Sequence, residues 1–207
     1  MKKIILTCLL LNSLMIYAQE KSDKLKIGVE LGIVENLSSK IVAFNLNEGY
    51  NISYNKFNFK LNISGDFYIS EKLSLSSGLS YSQNNYTVIP YTPSFIAIFE
   101  DEIKLNFIEI PVSMRYFFLN KKLTPFINIG IVNQLIFDDD DLENPTFPLE
   151  GNKYGVSGKL GAGMEYELNK MAIRLYADYV KGFSNIYSNL DYKIDYISFG
   201  AGIVIGI

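Results

Sequence analysis

The chain has 207 residues, enough for one domain, with 19 lysines and arginines against 22 aspartates and glutamates, no histidine and a single cysteine, Cys8. Without histidine, a Ser-His-Asp hydrolase, a papain-like thiol enzyme and a zinc site are excluded, and one cysteine cannot form a disulfide framework. The formal net charge is −3 and no stretch is strongly basic, so nucleic acid is not expected as a partner.

The N-terminal segment is typical of a secretory signal peptide. Lys2 and Lys3 precede an apolar run over residues 4–16, which is too short for a transmembrane helix of about 20 residues. We therefore expect residues 1–18 to be removed, with an uncleaved anchor as the alternative. Cys8 lies inside the apolar run, where it is expected to be an ordinary apolar residue and not a lipidation site.

Alternation with period two follows this segment and predicts strands with two different faces. In residues 25–33 every second side chain is apolar, while Lys26 and Glu30 stand between the apolar positions. The pattern recurs in eight segments, at residues 25–33, 57–69, 73–81, 103–119, 123–137, 154–168, 171–180 and 193–207. We expect residues 19–207 to form one all-β domain, an eight-stranded antiparallel up-and-down barrel.

The fourth segment is irregular in its alternation. Its phase slips near Phe107 and Ile108, which predicts a β-bulge. Pro111, which has no backbone N–H to donate, is expected at the same irregularity. Glu109 and Arg115 have the same parity in this segment, so both are expected on one face.

The connections between the segments alternate between short and long. Three are tight turns, at residues 70–72, 120–122 and 169–170, and four are long, at residues 36–56, 89–102, 138–153 and 181–192. Short turns at one rim and long loops at the other are typical of outer-membrane barrels, with the short turns in the periplasm. A missing N–H donor is harmless in a loop, and the long loops contain Pro90, Pro93, Pro145 and Pro148.

The polar face of the barrel is expected to line its interior. An eight-stranded barrel is just wide enough inside for side chains, so an open pore is not expected. The apolar rows then face outwards, which is tolerable only in lipid. Several segments also reach the about 9–11 residues that cross a bilayer at a tilt, residues 193–207 most clearly. The sequence therefore predicts a transmembrane barrel.

Nine charged residues share the inward parity, with both signs nearly balanced: Glu30, Lys60, Asp66, Glu109, Arg115, Lys159, Glu165, Arg174 and Asp178. Unpaired charge in a narrow lumen would be costly, so we expect a structural ladder of ion pairs and hydrogen bonds that plugs it. A proton or ion path, or paired carboxylates in acid–base work, is the functional alternative. No catalytic residue and no cofactor is expected.

A run of four aspartates lies in the third long loop, at Asp138, Asp139, Asp140 and Asp141. Carboxylates are calcium ligands, but the run lacks the glycine and the terminal glutamate spacing of an EF-hand loop. We therefore expect a solvated acidic loop in preference to a metal site, with weak divalent bridging to lipopolysaccharide as a minor role.

Three stretches carry a family resemblance. Residues 105–118, LNFIEIPVSMRYFF, resemble the F-[IL]-E-[IL]-P-x-x-x-[KR]-Y segment of small outer-membrane β-barrels of Bacteroidetes-type bacteria, which include the PorT-like proteins. Residues 161–166, GAGMEY, and 179–186, YVKGFSNI, are similar to the same family. The resemblance implies a Gram-negative outer membrane, insertion by the barrel-assembly machinery and, for a few members, protein secretion. The C-terminal assembly signal of such barrels often ends in an aromatic residue, whereas Ile207 is aliphatic.

Together these features predict a non-enzymatic outer-membrane barrel in contact with lipid and lipopolysaccharide. Its long loops are expected to contact a partner outside the cell, or its wall an envelope or secretion protein, in an adhesion or secretion-accessory role. A barrel enzyme acting on lipid or peptide at the outer membrane is one alternative, although such enzymes generally rely on histidine. A soluble periplasmic ligand-binding barrel is the other.

Overall fold

The computed structural model describes residues 25–37, 40–45, 48–53, 58–92, 95–96, 101–118, 122–138, 152–185, 191 and 193–207. The signal peptide expected over residues 1–18, including Cys8, lies outside the described residues. In the part of the chain that is described, no helix has the length and apolar character needed to cross a membrane.

The described residues contain eleven strands: β1 (Leu25–Asn36), β2 (Lys40–Asn45), β3 (Glu48–Ser53), β4 (Asn58–Ser70), β5 (Leu73–Thr92), β6 (Phe95–Ile96), β7 (Asp101–Phe117), β8 (Leu123–Asp138), β9 (Tyr154–Leu168), β10 (Met171–Gly182) and β11 (Asp195–Gly206). Eight of them, β1, β4, β5 and β7 to β11, form a closed barrel of antiparallel neighbours. Among these eight, spatial neighbours are also consecutive in the sequence, except where β1 meets β11. The predicted up-and-down barrel is confirmed.

The barrel closes because β1 has a partner on each of its two edges. It runs alongside β11 from Lys26 opposite Gly206 to Asn36 opposite Tyr196, and alongside β4 over a similar length. The backbone N–H and C=O groups of the wall therefore bond to neighbouring strands on both sides. A closed ladder of this kind is what allows strands to cross a bilayer, where no water can satisfy a free edge.

Aliphatic side chains cover the outside of the wall. In β1, Val29 and Leu31 are 50% and 64% exposed, whereas the neighbouring Gly28 and Glu30 are buried. The same alternation continues in the other barrel strands, with apolar rows outwards and polar rows inwards. A continuous apolar surface of this kind is stable in lipid and not in water. The predicted orientation of the two faces is confirmed.

Aromatic side chains border the apolar band at both rims. Near the rim of the long connections, the Tyr81 hydroxyl donates a hydrogen bond to Oδ1 of Asn106 at 2.7 Å. Near the rim of the short turns, Tyr116 and Phe118 pack edge to face, with 5.4 Å between ring centroids. Aromatic girdles at the two membrane–water interfaces are typical of such barrels, with the short turns in the periplasm. We therefore call the two rims extracellular and periplasmic.

The bulge expected near Phe107 and Ile108 is wrong. Along residues 105–117, β7 keeps one register with β8, and its inward and outward side chains alternate without a slip. Leu105 and Phe107 are simply apolar residues of the lumen, and both are almost completely buried. The irregularity at Pro111 is smaller, since pairing with β5 pauses there and resumes in the same register. Proline has no N–H to donate, which accounts for the pause.

Two of the predicted long loops contain strands. Within residues 36–56, β2 and β3 form a hairpin, and β3 pairs with β5 from Gly49 opposite Tyr91 to Ser53 opposite Thr87. The long β5 and β7 stay paired beyond the barrel, and β6 pairs with the tip of β5. We call β2, β3 and β6, with the adjoining ends of β5 and β7, the extracellular sheet extension.

The sheet extension corrects the prediction for Pro90, which was expected in a loop. Pro90 lies within β5, opposite Tyr50 of β3. The β-branched residues Ile41 and Val42 favour a strand in β2, so the sequence contains a local signal for the extension. Pro93, Pro145 and Pro148 lie outside the described residues.

Lipid exposure predicts a position-dependent cost for arginine on the outer face of β8, where Ile129 and Leu123 are both exposed. Ile129→Arg, near the middle of the apolar band, is expected to lower the free energy of unfolding by about 2–4 kcal/mol. Leu123→Arg, on the same face at the periplasmic rim, is expected to cost about 0–1 kcal/mol, because its guanidinium reaches the headgroups. Denaturant unfolding in phospholipid vesicles measures both costs, and equal values would contradict the lipid-facing band.

Candidate functional site

The lumen is the candidate functional site, because charged side chains from five strands meet there. The structure places all nine residues expected in the lumen on the inner face, at even positions in β1, β4 and β10 and at odd positions in β7 and β9. Each takes part in at least one ion pair: Glu30, Lys60, Asp66, Glu109, Arg115, Lys159, Glu165, Arg174 and Asp178.

Arg174 is the centre of the largest group of charges. Its side chain is completely buried, and its guanidinium contacts carboxylates from three other strands. Nη1 lies 2.5 Å from Oε1 of Glu30, Nε lies 2.9 Å from Oε1 of Glu165, and Nη2 contacts Asp66. The planar guanidinium offers five donors in fixed directions, so this one residue joins β10 to β1, β4 and β9.

Arg115 supplies a second cation to the same group. Its Nη1 donates to Oδ2 of Asp66 at 2.8 Å and lies 3.9 Å from Oε1 of Glu165. Its guanidinium carbon is 4.7 Å from the ring centroid of Phe126, a cation–π contact that brings β8 into the group. We name the five charged residues the central charge cluster: Glu30, Asp66, Arg115, Glu165 and Arg174.

A second network surrounds Glu109, which is also completely buried. Its carboxylate pairs with Lys60 and accepts hydrogen bonds from the Tyr196 hydroxyl at 2.7 Å and from Nε2 of Gln134 at 3.1 Å. Glu109 and Arg115 therefore share the inner face of β7 but have different partners. The neutral donors Tyr196 and Gln134 were not among the residues expected from the sequence, because the prediction considered charge alone.

Lys159 and Asp178 form a third pair between β9 and β10. Nζ of Lys159 lies 2.8 Å from Oδ2 of Asp178, and Nδ2 of Asn128 donates to the other oxygen, Oδ1, at 3.0 Å. Both oxygens of this carboxylate therefore have a donor. Burial of the carboxylate is compensated by one ion pair and one neutral hydrogen bond.

Lys26 is a lumen cation that the sequence analysis left out. Its Nζ lies 3.6 Å from Glu165 and 3.3 Å from Glu167, and 5.1 Å from the ring centroid of Tyr68. The signal was present in the sequence, since Lys26 and Glu30 have the same parity in β1. With Lys26 included, the five cations of the lumen set match its five carboxylates, so the buried charge is balanced.

Apolar side chains close the lumen on both sides of the charged networks. Towards the periplasm, the ring of Phe117 stacks on Tyr68 at 5.5 Å and contacts Phe126 at 5.7 Å between centroids. Towards the exterior, the buried side chains are those of Val34, Leu105, Phe107, Ile136, Val180 and Ile194. The charges thus lie between two apolar layers, where their interactions are stronger than in water.

The acidic run is only partly within the described chain. Asp138 is the last residue of β8, while Asp139, Asp140 and Asp141 lie outside the described residues. Among the residues that are described, no group of three histidine, cysteine, aspartate or glutamate side chains is arranged to hold a metal ion. Weak divalent binding by the aspartate run stays a prediction.

Removal of the central guanidinium is expected to be the most destabilising change in the lumen. Arg174→Met leaves three buried carboxylates without their shared cation and is expected to lower the free energy of unfolding by about 3–5 kcal/mol. The matched control Lys26→Met, at the partly exposed edge of the network, is expected to cost about 0–1 kcal/mol. Denaturant unfolding in detergent micelles or vesicles measures both.

A double variant separates charge from packing at the same position. Adding Glu165→Gln to Arg174→Met removes one of the uncompensated carboxylates, so part of the lost stability is expected to return. If the double variant is less stable than Arg174→Met alone, the central cluster does not act through charge compensation.

Comparison with known proteins agrees with this geometry. The family model for the outer membrane protein beta-barrel domain matches residues 17–188, which is most of the chain. A search among curated proteins found no match. The family assignment therefore rests on the domain as a whole and not on one relative.

Three solved structures are similar over most of their length. Neisserial surface protein A has 13% identity and a TM-score of 0.58, and the match covers 91% of this chain and 100% of that one. The outer membrane protein AlkL, determined in DMPC bilayers, has 13% identity and a TM-score of 0.58 over 90% and 91% of the two chains. The N-terminal β-barrel domain of Pseudomonas aeruginosa OprF has 13% identity and a TM-score of 0.50 over 90% and 100%.

At these identities the solved structures show the shared fold and not a shared activity. The apolar exterior, the closed ladder and the family match together contradict a soluble periplasmic barrel. The chain belongs to the outer membrane protein beta-barrel domain family and is an eight-stranded barrel of the Gram-negative outer membrane.

Proposed function

We propose that the protein is a non-enzymatic, non-conducting barrel that holds the extracellular sheet extension at the cell surface for contact with a partner outside. The observation that carries the proposal is the central charge cluster. In it, Arg174 contacts carboxylates from β1, β4 and β9, so side chains bridge the interior of the barrel. A plugged interior favours an anchoring role for the wall.

The sheet extension supports a contact with the partner on the outside of the cell. Within the described residues β2 pairs with β3 alone, so its other edge has no backbone partner in the described part of the chain. An edge of this kind accepts an extended segment of another protein by β-augmentation, in which backbone hydrogen bonds give affinity. We infer that this edge is where an adhesion or envelope partner binds.

The charged lumen supports a structural role over a catalytic one. Glu109 and Asp178 have cations and neutral donors on their carboxylates, and each carboxylate of the central charge cluster contacts Arg174. The sequence has no histidine to act as a general base near neutral pH. These features favour a barrel without enzymatic activity, with outer-membrane lipid and lipopolysaccharide around its wall.

We also propose that the protein is a Bacteroidetes-type, PorT-like barrel with a secretion-accessory role. The support for both is the motif in residues 105–118, together with the similar stretches at residues 161–166 and 179–186. Insertion by the barrel-assembly machinery follows from the same resemblance. In a secretion-accessory role, the wall or the sheet extension would dock a component of the secretion apparatus.

A plugged lumen predicts the absence of channel current. Purified protein reconstituted in a planar lipid bilayer is expected to leave the conductance at the level of the bare membrane, because charged and apolar side chains fill the interior. A porin added to the same bilayer serves as the positive control for insertion and detection. Regular stepwise currents from this protein would contradict a non-conducting barrel.

Deletion of residues 40–53 tests the role of the sheet extension. The β1–β4 register does not involve β2 or β3, so the barrel is expected to fold and to keep its heat-modifiable gel migration. Attachment of cells to surfaces, or secretion of exported proteins, is expected to fall to the level of cells lacking the protein. Cells that make the shortened barrel and attach and secrete normally would contradict the proposal.

Mass spectrometry of lipid A from the same strains tests the enzymatic alternative. Identical lipid A in cells with and without the protein is the expected result. A difference that depends on the protein would contradict the non-enzymatic proposal.

A further inference from the structure

The three periplasmic turns have one feature in common. Each ends in an exposed lysine, and the next residue is the first apolar side chain of the outward row of a strand. The pairs are Lys72 with Leu73 at the start of β5, Lys122 with Leu123 at the start of β8, and Lys170 with Met171 at the start of β10.

Backbone hydrogen bonds fix the three lysines at equivalent positions on the rim. The carbonyl oxygen of Lys72 accepts from the N–H of Phe117 at 2.8 Å, and that of Lys122 accepts from Glu167 at 2.7 Å. The carbonyl oxygen of Lys170 accepts from the N–H of Gly206 at 3.2 Å. The backbone of each lysine is thus bonded to the adjacent strand, one residue beyond the apolar band.

The surrounding side chains place this rim at the level of lipid headgroups. The aromatic pair Tyr116 and Phe118 and the exposed Tyr166 border the apolar band at the same end of the barrel. Lysines next to an interfacial aromatic belt reach the phosphate layer with their ammonium groups while their stems cover apolar surface.

Among the described side chains of the periplasmic rim, positive charge is in excess. Outside the lumen set these are Lys72, Lys122 and Lys170 on one side and Glu71 and Glu167 on the other. Glu167 also pairs with the lumen cation Lys26 at 3.3 Å. The excess favours an anionic partner, since each lysine near a lipid surface contributes about 1 kcal/mol.

A recess of about 540 Å³ lies beside one of these lysines. Its lining combines Lys170 and the outward-facing residues Met171 and Ile207 with the inner-face residues Lys26, Ala172 and Val204, and Glu167 is also on its wall. The recess therefore lies where the rim meets the periplasmic end of the lumen.

We propose that Lys72, Lys122 and Lys170 form a basic ring that binds the phosphate groups of anionic phospholipids in the periplasmic leaflet of the outer membrane. The ring lies at the opposite end of the barrel from the extracellular sheet extension. The proposal therefore goes beyond the proposed function and does not depend on it. Anionic lipid bound at three hairpins would hold the barrel at a fixed depth and tilt.

Native mass spectrometry of the full-length barrel in neutral detergent tests the ring, with phosphatidylglycerol and phosphatidylcholine added at equal concentration. The triple variant K72Q/K122Q/K170Q is expected to lose its preference for phosphatidylglycerol, with the adducts reduced about fivefold or more. The matched control K153Q/K181Q/K193Q removes three exposed lysines at the extracellular rim and is expected to keep that preference.

A charge-preserving variant and a second probe make the result decisive. K72R/K122R/K170R is expected to bind phosphatidylglycerol as the unmodified barrel does, and heat-modifiable migration shows that every variant is folded. Equal losses in the two glutamine variants, or no loss in the rim variant, would overturn the proposal. Binding to purified peptidoglycan that depends on the rim lysines, without lipid selectivity, would also overturn it and identify the wall polymer as the partner.

Discussion

Compensation of charge in a space too narrow for bulk water is the constraint on which the rest of this structure depends. Eight strands leave an interior of side-chain width, and the outward rows must be apolar because they face lipid. Charged residues at the level of the lipid-facing band are therefore placed in the interior, where an unpaired charge would be strongly destabilising. The central charge cluster satisfies this constraint with two guanidinium groups and three carboxylates from five strands. Plugging of the lumen and cross-linking of the wall are consequences of the same contacts.

The motif that carries the family resemblance has its most distinctive side chains inside the barrel. In residues 105–118, the side chains of Phe107, Glu109, Pro111 and Arg115 lie on the inner face of β7. Glu109 pairs with Lys60, and Arg115 pairs with Asp66. These residues fill and connect the lumen, so none of them meets a partner from outside the barrel. The motif is accordingly informative about the fold and much less so about function.

The two-residue alternation of the sequence predicted the strands and their two faces. It did not predict the contacts that depend on the register between strands. Parity alone identified the eight barrel strands, the lipid-facing rows and the nine charged residues of the lumen. The alternation places Arg174, Glu30 and Asp66 on the inner face but does not show that they are in contact, because the contact depends on the stagger between strands. The expectation that every lumen residue is polar led to the wrong prediction of a bulge at Phe107. The strands β2 and β3 were expected to be loop, and the pairing of β3 with β5 joins segments that are distant in sequence. Lys26 was visible by parity and was overlooked because it lies at the end of β1.

The seam between β1 and β11 has a consequence for the order of assembly. Residues near the two ends of the described chain, such as Lys26 and Gly206, pair directly, so the cylinder is completed only when the last strand has arrived. Until that pairing forms, β1 and β10 are not held on the two sides of β11. The contact between Glu30 and Arg174, 144 residues apart in the sequence, therefore depends on closure of the seam. The central charge cluster is accordingly complete only in the closed cylinder.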